Sequence, residues 1–358
     1  MSFVRNSWYV AAFGNELGSG LLARTILGEP VVLYRTPSGK PVAMLDRCPH
    51  RLLPLSKGCL KDEGIECGYH GLTFDHAGKC IVAPGQTRIP DEARVRTYPV
   101  AEHMGMVWIW PGDPALADTA KIFDRLPRWA DSQVPGSKWD LIVGEPMHVK
   151  GNYLLLCENL VDPAHVVYVH KRTLGSPAMV NIPIEAAEVD GALLVSRWTP
   201  NAPASPMLQR YGKWPGNVDR WQYYWFYAPN IAVVDFGAGE PGMARSEEAR
   251  DAAVRLYSAH FMTPETEEST YYFWFVLRNF GVGDAAVSAD LMDQVTSTFL
   301  EDKVVLEAIQ AAEAAPFVTK RVKLAIDSGS ARLRRTVARM VAAEETAPVA
   351  ERVVALRD

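Results

Sequence analysis

The stretch CPHRLLPLSKGCLKDEGIECGYHG (residues 48–71) carries three of the chain's five cysteines and two of its eight histidines. Cys48-x-His50 is followed, after sixteen intervening residues, by Cys67-x-x-His70. A single cysteine is ordinarily a small buried hydrophobe. Here two short loops each offer one thiolate and one imidazole, a set that points to a metal. A structural zinc site usually pairs cysteine with cysteine and histidine with histidine, as C-x2–4-C…H-x3–5-H. The mixed loops fit better a two-iron, two-sulfur cluster with two thiolates on one iron and two imidazoles on the other.

Around this stretch the chain reads as short strands. PVVLYR (residues 30–35), a PSGKP turn, VAMLDR (42–47), LTFDHAGKC (72–80) and GMVWIWPG (105–112) are β-branched or aromatic runs bounded by Gly, Pro and Asp. They predict a small all-β domain over residues 1–112, followed by a Pro- and Ala-rich linker at 111–129 and a second domain within 113–358. At 358 residues, about two domains are expected. A composition 48% hydrophobic and 22% charged suits a globular protein, and a formal charge of −5 lacks the basic footprint of a nucleic-acid binder. No apolar run approaches the roughly 18 residues of a membrane helix. The N-terminus MSFVRNSWYVAAFGNE lacks a signal-peptide pattern. An odd cysteine count precludes a complete disulfide framework, so a reducing cytoplasm is expected.

Past the linker, GNYLLLCENLVDPAHVVYVHKR (151–172) reads as a helix interrupted by Pro163. Five strand-like runs follow between Ala192 and Arg278, then a helix from about Ala286 to Ala314. An antiparallel sheet against long helices accommodates that order, an α+β arrangement. The tail beyond Ser328 is charged and Ala-rich, helical or frayed. The interrupted helix holds a second cluster of metal-binding residue types, with His165 and His170 after Asn159 and Asp162. An i,i+5 pair does not stack on an ideal helix, and Pro163 gives the distortion that lets both imidazoles reach one ion. A non-heme Fe(II) site wants two histidines and one carboxylate, with positions left open. In QVTSTFLEDKVVLEAIQ (294–310), Val295, Phe299, Asp302, Leu306 and Ile309 form one stripe. Asp302 is its only charge, whereas Glu301 and Lys303 are read as pointing elsewhere. A carboxylate facing a core is costly unless paired or metal-bound, so Asp302 is the expected third ligand.

Together these constellations resemble the Rieske non-heme iron oxygenases. C-x-H…C-x-x-H is met by Cys48, His50, Cys67 and His70, and N-x-x-D-x-x-H-x4-H by Asn159, Asp162, His165 and His170. Respiratory Rieske proteins carry an extra cysteine in each cluster loop. Here residues such as Leu53 and Gly68–Tyr69 stand in those places, and Cys59 and Cys80 read as packing residues. The opening RNSWYVAAFGNEL (5–17) and HFMTPETEEST (260–270) resemble the vanillate O-demethylase oxygenase group.

The resemblance implies a Rieske [2Fe-2S] domain followed by a helix-grip (START-like) catalytic domain. It also implies a monooxygenase that takes O2 and electrons and O-demethylates a vanillate-like aromatic acid, releasing formaldehyde. A head-to-tail homotrimer is implied, in which one subunit's cluster serves its neighbour's iron across Asp162. No dinucleotide fingerprint, a G-x-G-x-x-G turn leading a strand straight into a helix, is read in the chain, so a separate NAD(P)H-dependent reductase, with flavin and a ferredoxin-type cluster, is expected. His260 and Asn230, on aromatic-rich strands, are candidate substrate contacts. Methyl hydroxylation, N-demethylation and ring dihydroxylation stay open, as does an electron carrier fused to a binding module.

Overall fold

The computed structural model describes residues 3–315 and 321–346. Its N-terminal part holds three small antiparallel sheets. Tyr9–Phe13 pairs with Met106–Ile109, which pairs with Val100–His103. A second sheet runs Leu22–Ile26, Glu29–Arg35, Pro41–Leu45 and Thr97–Tyr98, and a third runs Cys59–Lys61, Gly64–Glu66, Thr73–Asp75 and Cys80–Val82. Strand alternation gives Glu29–Arg35 two buried faces. Val31 and Leu33 join a core with Tyr9, Ala11 and Ile109, while Val32 and Tyr34 join one with Cys48, Cys67 and Phe74. The cluster loops are thereby anchored to a rigid sheet.

The second part is built on one eight-stranded antiparallel sheet. Its main path runs Asp140–Val143, Ser269–Arg278, Val254–Thr266, Ile231–Gly239, Val218–Tyr227, Ala192–Ala202 and Glu185–Val189, with Met147–Val149 also pairing on Ser269–Arg278. All five predicted strand runs are strands here. On one face, Val234, Phe236, Met262, Trp274 and Val276 pack against Leu156, Leu291, Val295, Phe299 and Leu306 from the helices. On the other, Val233, Tyr257, Phe261, Phe273 and Phe275 pack against Trp8, Val10, Phe13, Met106 and Trp108 of the N-terminal part.

The expected free linker is instead a strap. Asp113 and Asp118 cap two 3-10 turns, and Ile122, Phe123 and Leu126 are buried in that second core. An apolar Ile-Phe pair loses more by facing water than a short loop loses by lying down. Backbone contacts also cross between the parts: Leu27 N–H donates to Pro264 O at 2.8 Å, and the Thr263 hydroxyl to Val10 O at 2.7 Å.

The long helix, Ala285–Glu313, starts at Asp284, whose carboxylate accepts from the N–H groups of Ala286 and Val287. The predicted stripe holds through Val295, Phe299 and Leu306, but Ile309 is exposed because the helix runs past the sheet there. Arg278, fully buried, ties the helix start to the sheet. It donates to the carbonyls of Phe280 and Gly281, to the Ser288 hydroxyl at 2.7 Å and to Asp140 at 2.8 Å. Arg278→Met is expected to leave these acceptors unsatisfied and to lower stability by about 3 kcal/mol, as a denaturant melt would measure. The tail beyond Ser328 is helical over Ser328–Thr346 and buries Leu333 and Val337; residues 347–358 lie outside the described set. Glu344 on this helix accepts the backbone N–H groups of Arg5 and Asn6 at 2.8 and 2.7 Å.

Candidate active site

The two cluster loops are near copies of each other in backbone. Cys48 N–H donates to Leu53 O and Leu52 N–H to Cys48 O, both at 2.9 Å. Five and four residues past the second cysteine the pattern repeats: Cys67 N–H to Leu72 O at 2.7 Å and Gly71 N–H to Cys67 O at 3.0 Å. Each loop closes through a left-handed residue, Leu52 at φ 61° and Gly71 at φ 71°. Glycine takes that conformation freely, whereas leucine is strained in it. Cys48 and Cys67 are buried side by side, while His50 and His70 are exposed with ring centroids 4.5 Å apart. Burial pushes the Cys48 thiol up, so ionising it calls for a cation close by. Two inner sulfurs and two outer imidazoles match the donor set of a Rieske cluster. Cys80 packs in this core as expected. Cys59 does not: it sits exposed on an edge strand of the third sheet, pairing with Glu66.

The second constellation is assembled by the broken helix. Tyr153–Asn159 ends, Pro163 lies in the turn that follows, and a short helix resumes at Val166–Val169. This break swings His165 toward His170. The Nε2 atoms of the two rings are 3.2 Å apart, and Asp302 Oδ1 lies 3.5 Å from the first and 3.1 Å from the second. The opposite ring nitrogens are already committed. His170 Nδ1 meets Glu301 Oε2 at 2.8 Å, and His165 Nδ1 meets the Asp162 carbonyl. Both partners only accept, so each Nδ1 carries the proton and each Nε2 presents a lone pair.

Two imidazole lone pairs and a carboxylate oxygen thus converge with little between them, an arrangement that repels itself unless a cation fills the centre. Ligands about 2.1 Å from one ion at right angles stand about 3 Å apart, so the spacing fits a single ion with one side open. Asn159 Nδ2 donates to Asp302 Oδ1 at 3.1 Å and holds that carboxylate in place. Glu301 was expected to point elsewhere, but its longer side chain bends back to His170. Its position next to Asp302 was the only hint of this in the sequence.

Asp162 is half-exposed. Its Oδ1 accepts Ala164 N–H at 2.8 Å, capping the turn, and Oδ2 stands 3.8 Å from His165 Nδ1. The capping role therefore leaves one carboxylate oxygen turned toward the histidine and the surface.

Beside these three converging side chains lies a cavity walled by Leu160, Met207, Val234, Phe236, Val276 and Phe299 among others. His260 is in this wall. Its Nδ1 lies 2.6 Å from the Tyr272 hydroxyl, and burial drives its pKa down to about 3, so the ring is neutral. Among the described residues its Nε2 has no partner, and neither has the Ser258 hydroxyl, two residues away on the same strand face. With Tyr272 donating to Nδ1, His260 Nε2–H becomes a donor into the cavity. Ser258 went unread in the sequence, although the period of two from His260 would have placed it on the same face. Asn230 is a correction. Its amide is fully buried without partners, yet it is not part of the cavity wall, because it precedes the strand Ile231–Gly239 and lies beyond the strand's cavity-lining residues Val234 and Phe236.

Family profiles agree with these two sites. Residues 7–99 match the Rieske [2Fe-2S] domain, and residues 149–343 match the vanillate O-demethylase oxygenase C-terminal domain. The dicamba O-demethylase oxygenase component of Stenotrophomonas maltophilia is 38% identical over 313 residues, covering 87% of this chain and 89% of that protein. The putative toluene-4-sulfonate monooxygenase system iron-sulfur subunit TsaM2 of Comamonas testosteroni is 36% identical over 351 residues, covering 96% and 99%. The crystal structure of dicamba monooxygenase bound to 3,6-dichlorosalicylic acid superposes with a TM-score of 0.87 at 33% identity, covering 97% of this chain and all of that one. The chain belongs to the Rieske non-heme iron oxygenases, in the vanillate O-demethylase oxygenase group, and is the oxygenase component of an aromatic monooxygenase system that uses a [2Fe-2S] cluster, a mononuclear iron and O2.

Proposed function

We propose that this oxygenase hydroxylates the methyl carbon of a small methoxylated aromatic acid, vanillate-like, and so removes it as formaldehyde. The observation that carries this reading is the convergence of His165, His170 and Asp302 at the wall of a largely apolar cavity. In this reading those three residues hold the mononuclear iron, Cys48, His50, Cys67 and His70 hold the cluster, and Asn159 steadies Asp302. An iron held there supplies O2 activation through its open side. The apolar wall excludes water and holds the ring, while the donors on His260 and Ser258 fix its orientation. One atom of O2 enters the C–H bond and the other leaves as water, with two electrons supplied by the reductase and two protons taken up from solvent. The hydroxylated O-methyl is a hemiacetal. Its C–O bond breaks as the hydroxyl proton passes to the phenol oxygen, and formaldehyde leaves.

The electrons come from a separate NAD(P)H-dependent reductase carrying flavin and a ferredoxin-type cluster. In a head-to-tail homotrimer they cross from one subunit's His70 side to Asp162 and His165 of the next. Residues 1–112 form the cluster unit and 113–358 the catalytic unit. Exposed apolar residues at both ends of that path support the trimer: Leu52 and Tyr69 surround the cluster histidines, and Tyr168, Leu300 and Val304 lie near the iron ligands. Such residues mark surfaces that a partner covers. Among the described residues no helix is long and apolar enough to cross a membrane, which suits a cytoplasmic enzyme.

The test is product analysis. The holoenzyme with an NADH-driven reductase is given methoxybenzoates, methylated benzoates, toluene-4-sulfonate and N-methyl aromatics. Formaldehyde in step with NADH consumed on a methoxybenzoate is expected. A cis-diol without formaldehyde would instead make it a ring dihydroxylase. An alcohol left on a methyl group would make it a methyl hydroxylase, and formaldehyde from N-methyl aromatics alone an N-demethylase.

A further inference from the structure

Strand register sets Tyr224, Val234, Ser258 and Val276 side by side across four adjacent strands. All four line the cavity. Neighbouring strands are about 4.8 Å apart, so the two polar members of this row, Tyr224 and Ser258, stand about 10 Å apart with Val234 between them. The Ser258 end, with neutral His260 nearby, carries no charge. The Tyr224 end is different.

Arg197 lies behind Tyr224 and is only 3% exposed. Its Nε and Nη2 both donate to Gln222 Oε1, at 3.1 and 2.6 Å. The Gln222 amide is thereby fixed in one orientation and must present its Nε2 on the other side, where it donates to the Tyr224 hydroxyl at 2.8 Å. The Tyr224 oxygen is occupied as an acceptor, and among the described residues its own proton meets no acceptor, which leaves it available to the cavity. Burial keeps this phenol un-ionised, pushing it well above its usual range. Arg220, also 3% exposed, donates to the Leu174 carbonyl at 2.8 Å, and its Nε has no partner among the described residues. Burial holds Arg220 down to about 10, which still leaves it charged at neutral pH. Neither guanidinium is within ion-pair distance of a carboxylate among the described residues, and Asp162 acts on Arg197 only from further away. Two buried, unpaired cations are costly, and an anion placed at Tyr224 offsets that cost.

We propose that Tyr224 is the specificity-determining residue for the acidic group of the substrate: its hydroxyl donates to a carboxylate or sulfonate oxygen, set in place by Gln222 and backed by Arg197 and Arg220. This rests on the aromatic-acid reading above. It also orients the ring, with the acid at the guanidinium end and neutral substituents toward Ser258 and His260. Arg197 additionally donates to the Pro163 carbonyl at 2.8 Å, so the same group that organises the acid site braces the loop between Asp162 and His165.

The test is equilibrium binding to oxygen-free holoenzyme by calorimetry, with 4-methoxybenzoate, toluene-4-sulfonate and the uncharged 4-methoxybenzamide as probes. A neutral donor to a charged acceptor is worth enough that Tyr224→Phe is expected to weaken the bound acids on the order of tenfold or more, and the amide by about twofold or less. Gln222→Leu, which frees the hydroxyl without removing it, is expected to show part of the same selective loss. Iron content and cluster spectrum should stay at wild-type values in both. An equal loss for acid and amide would reduce Tyr224 to a structural role. Wild-type acid affinity in Tyr224→Phe, or a selective acid loss in His260→Leu instead, would put the acid at the other end and overturn the inference alone. Wild-type protein that binds the amide but neither acid would overturn the aromatic-acid reading and this inference together.

Discussion

An Asp302→Ala chain is expected to lose its mononuclear iron and keep its cluster. Iron per chain should fall from about three to about two, since the [2Fe-2S] cluster accounts for two. Hydroxylation should drop by far more than the roughly 10- to 100-fold that removal of an outer partner costs. The reason is geometric. Asp302 Oδ1 lies 3.5 and 3.1 Å from the two imidazole Nε2 atoms and, among the described residues, is the only carboxylate oxygen in that triangle. Glu301→Gln makes the contrast. It weakens the acceptor that orients His170 Nδ1 but leaves all three ligands, so a loss of about 10- to 100-fold with partial iron retention is expected. Metal analysis, the visible spectrum of the cluster and turnover, measured on both variants, separate the cases. Should Glu301→Gln shed the iron while Asp302→Ala keeps it, the ligand assignment would be reversed.

Asp162→Asn is expected to keep both metal centres and still lose turnover by about 100-fold or more. The amide oxygen can go on accepting the Ala164 N–H, so the turn stays closed. What disappears is the negative charge next to His165, on the side that the proposed trimer turns to a neighbouring subunit. Rapid mixing of reduced enzyme with substrate and O2 gives the discriminating measurement, because a slowed oxidation of the cluster locates the defect in electron transfer. Near-normal turnover in this variant would remove Asp162 from the path and leave it as a cap.

Much of the site could be read from residue order alone, and the reasons differ by element. The cluster loops were readable because all four candidate ligands lie within two short loops whose local hydrogen bonds repeat. The pair His165 and His170 was readable because Pro163 announced the break that brings them together. Asp302 came from the period of a helix, in which a lone charge on an apolar stripe stands out. The same period misplaced Ile309 and hid Glu301, since it says nothing of where a helix leaves the sheet or how far a glutamate can bend. Proline and alanine content suggested a free linker at 111–129, whereas the buried Ile122, Phe123 and Leu126 make it part of the core. Asn230 looked suited to substrate by its type and strand, and the structure leaves it outside the cavity.

By itself the sequence determined the two candidate ligand sets, the strand and helix segments and the family they imply, because each depends on short spacings and on periods of two or 3.6 residues. Tertiary structure alone decided the cavity wall, the row from Tyr224 to Ser258 and the link from Arg197 through Gln222. Those neighbours come from strands that are distant in the chain and meet only in one register, where a slip of a single residue would turn every side chain to the opposite face.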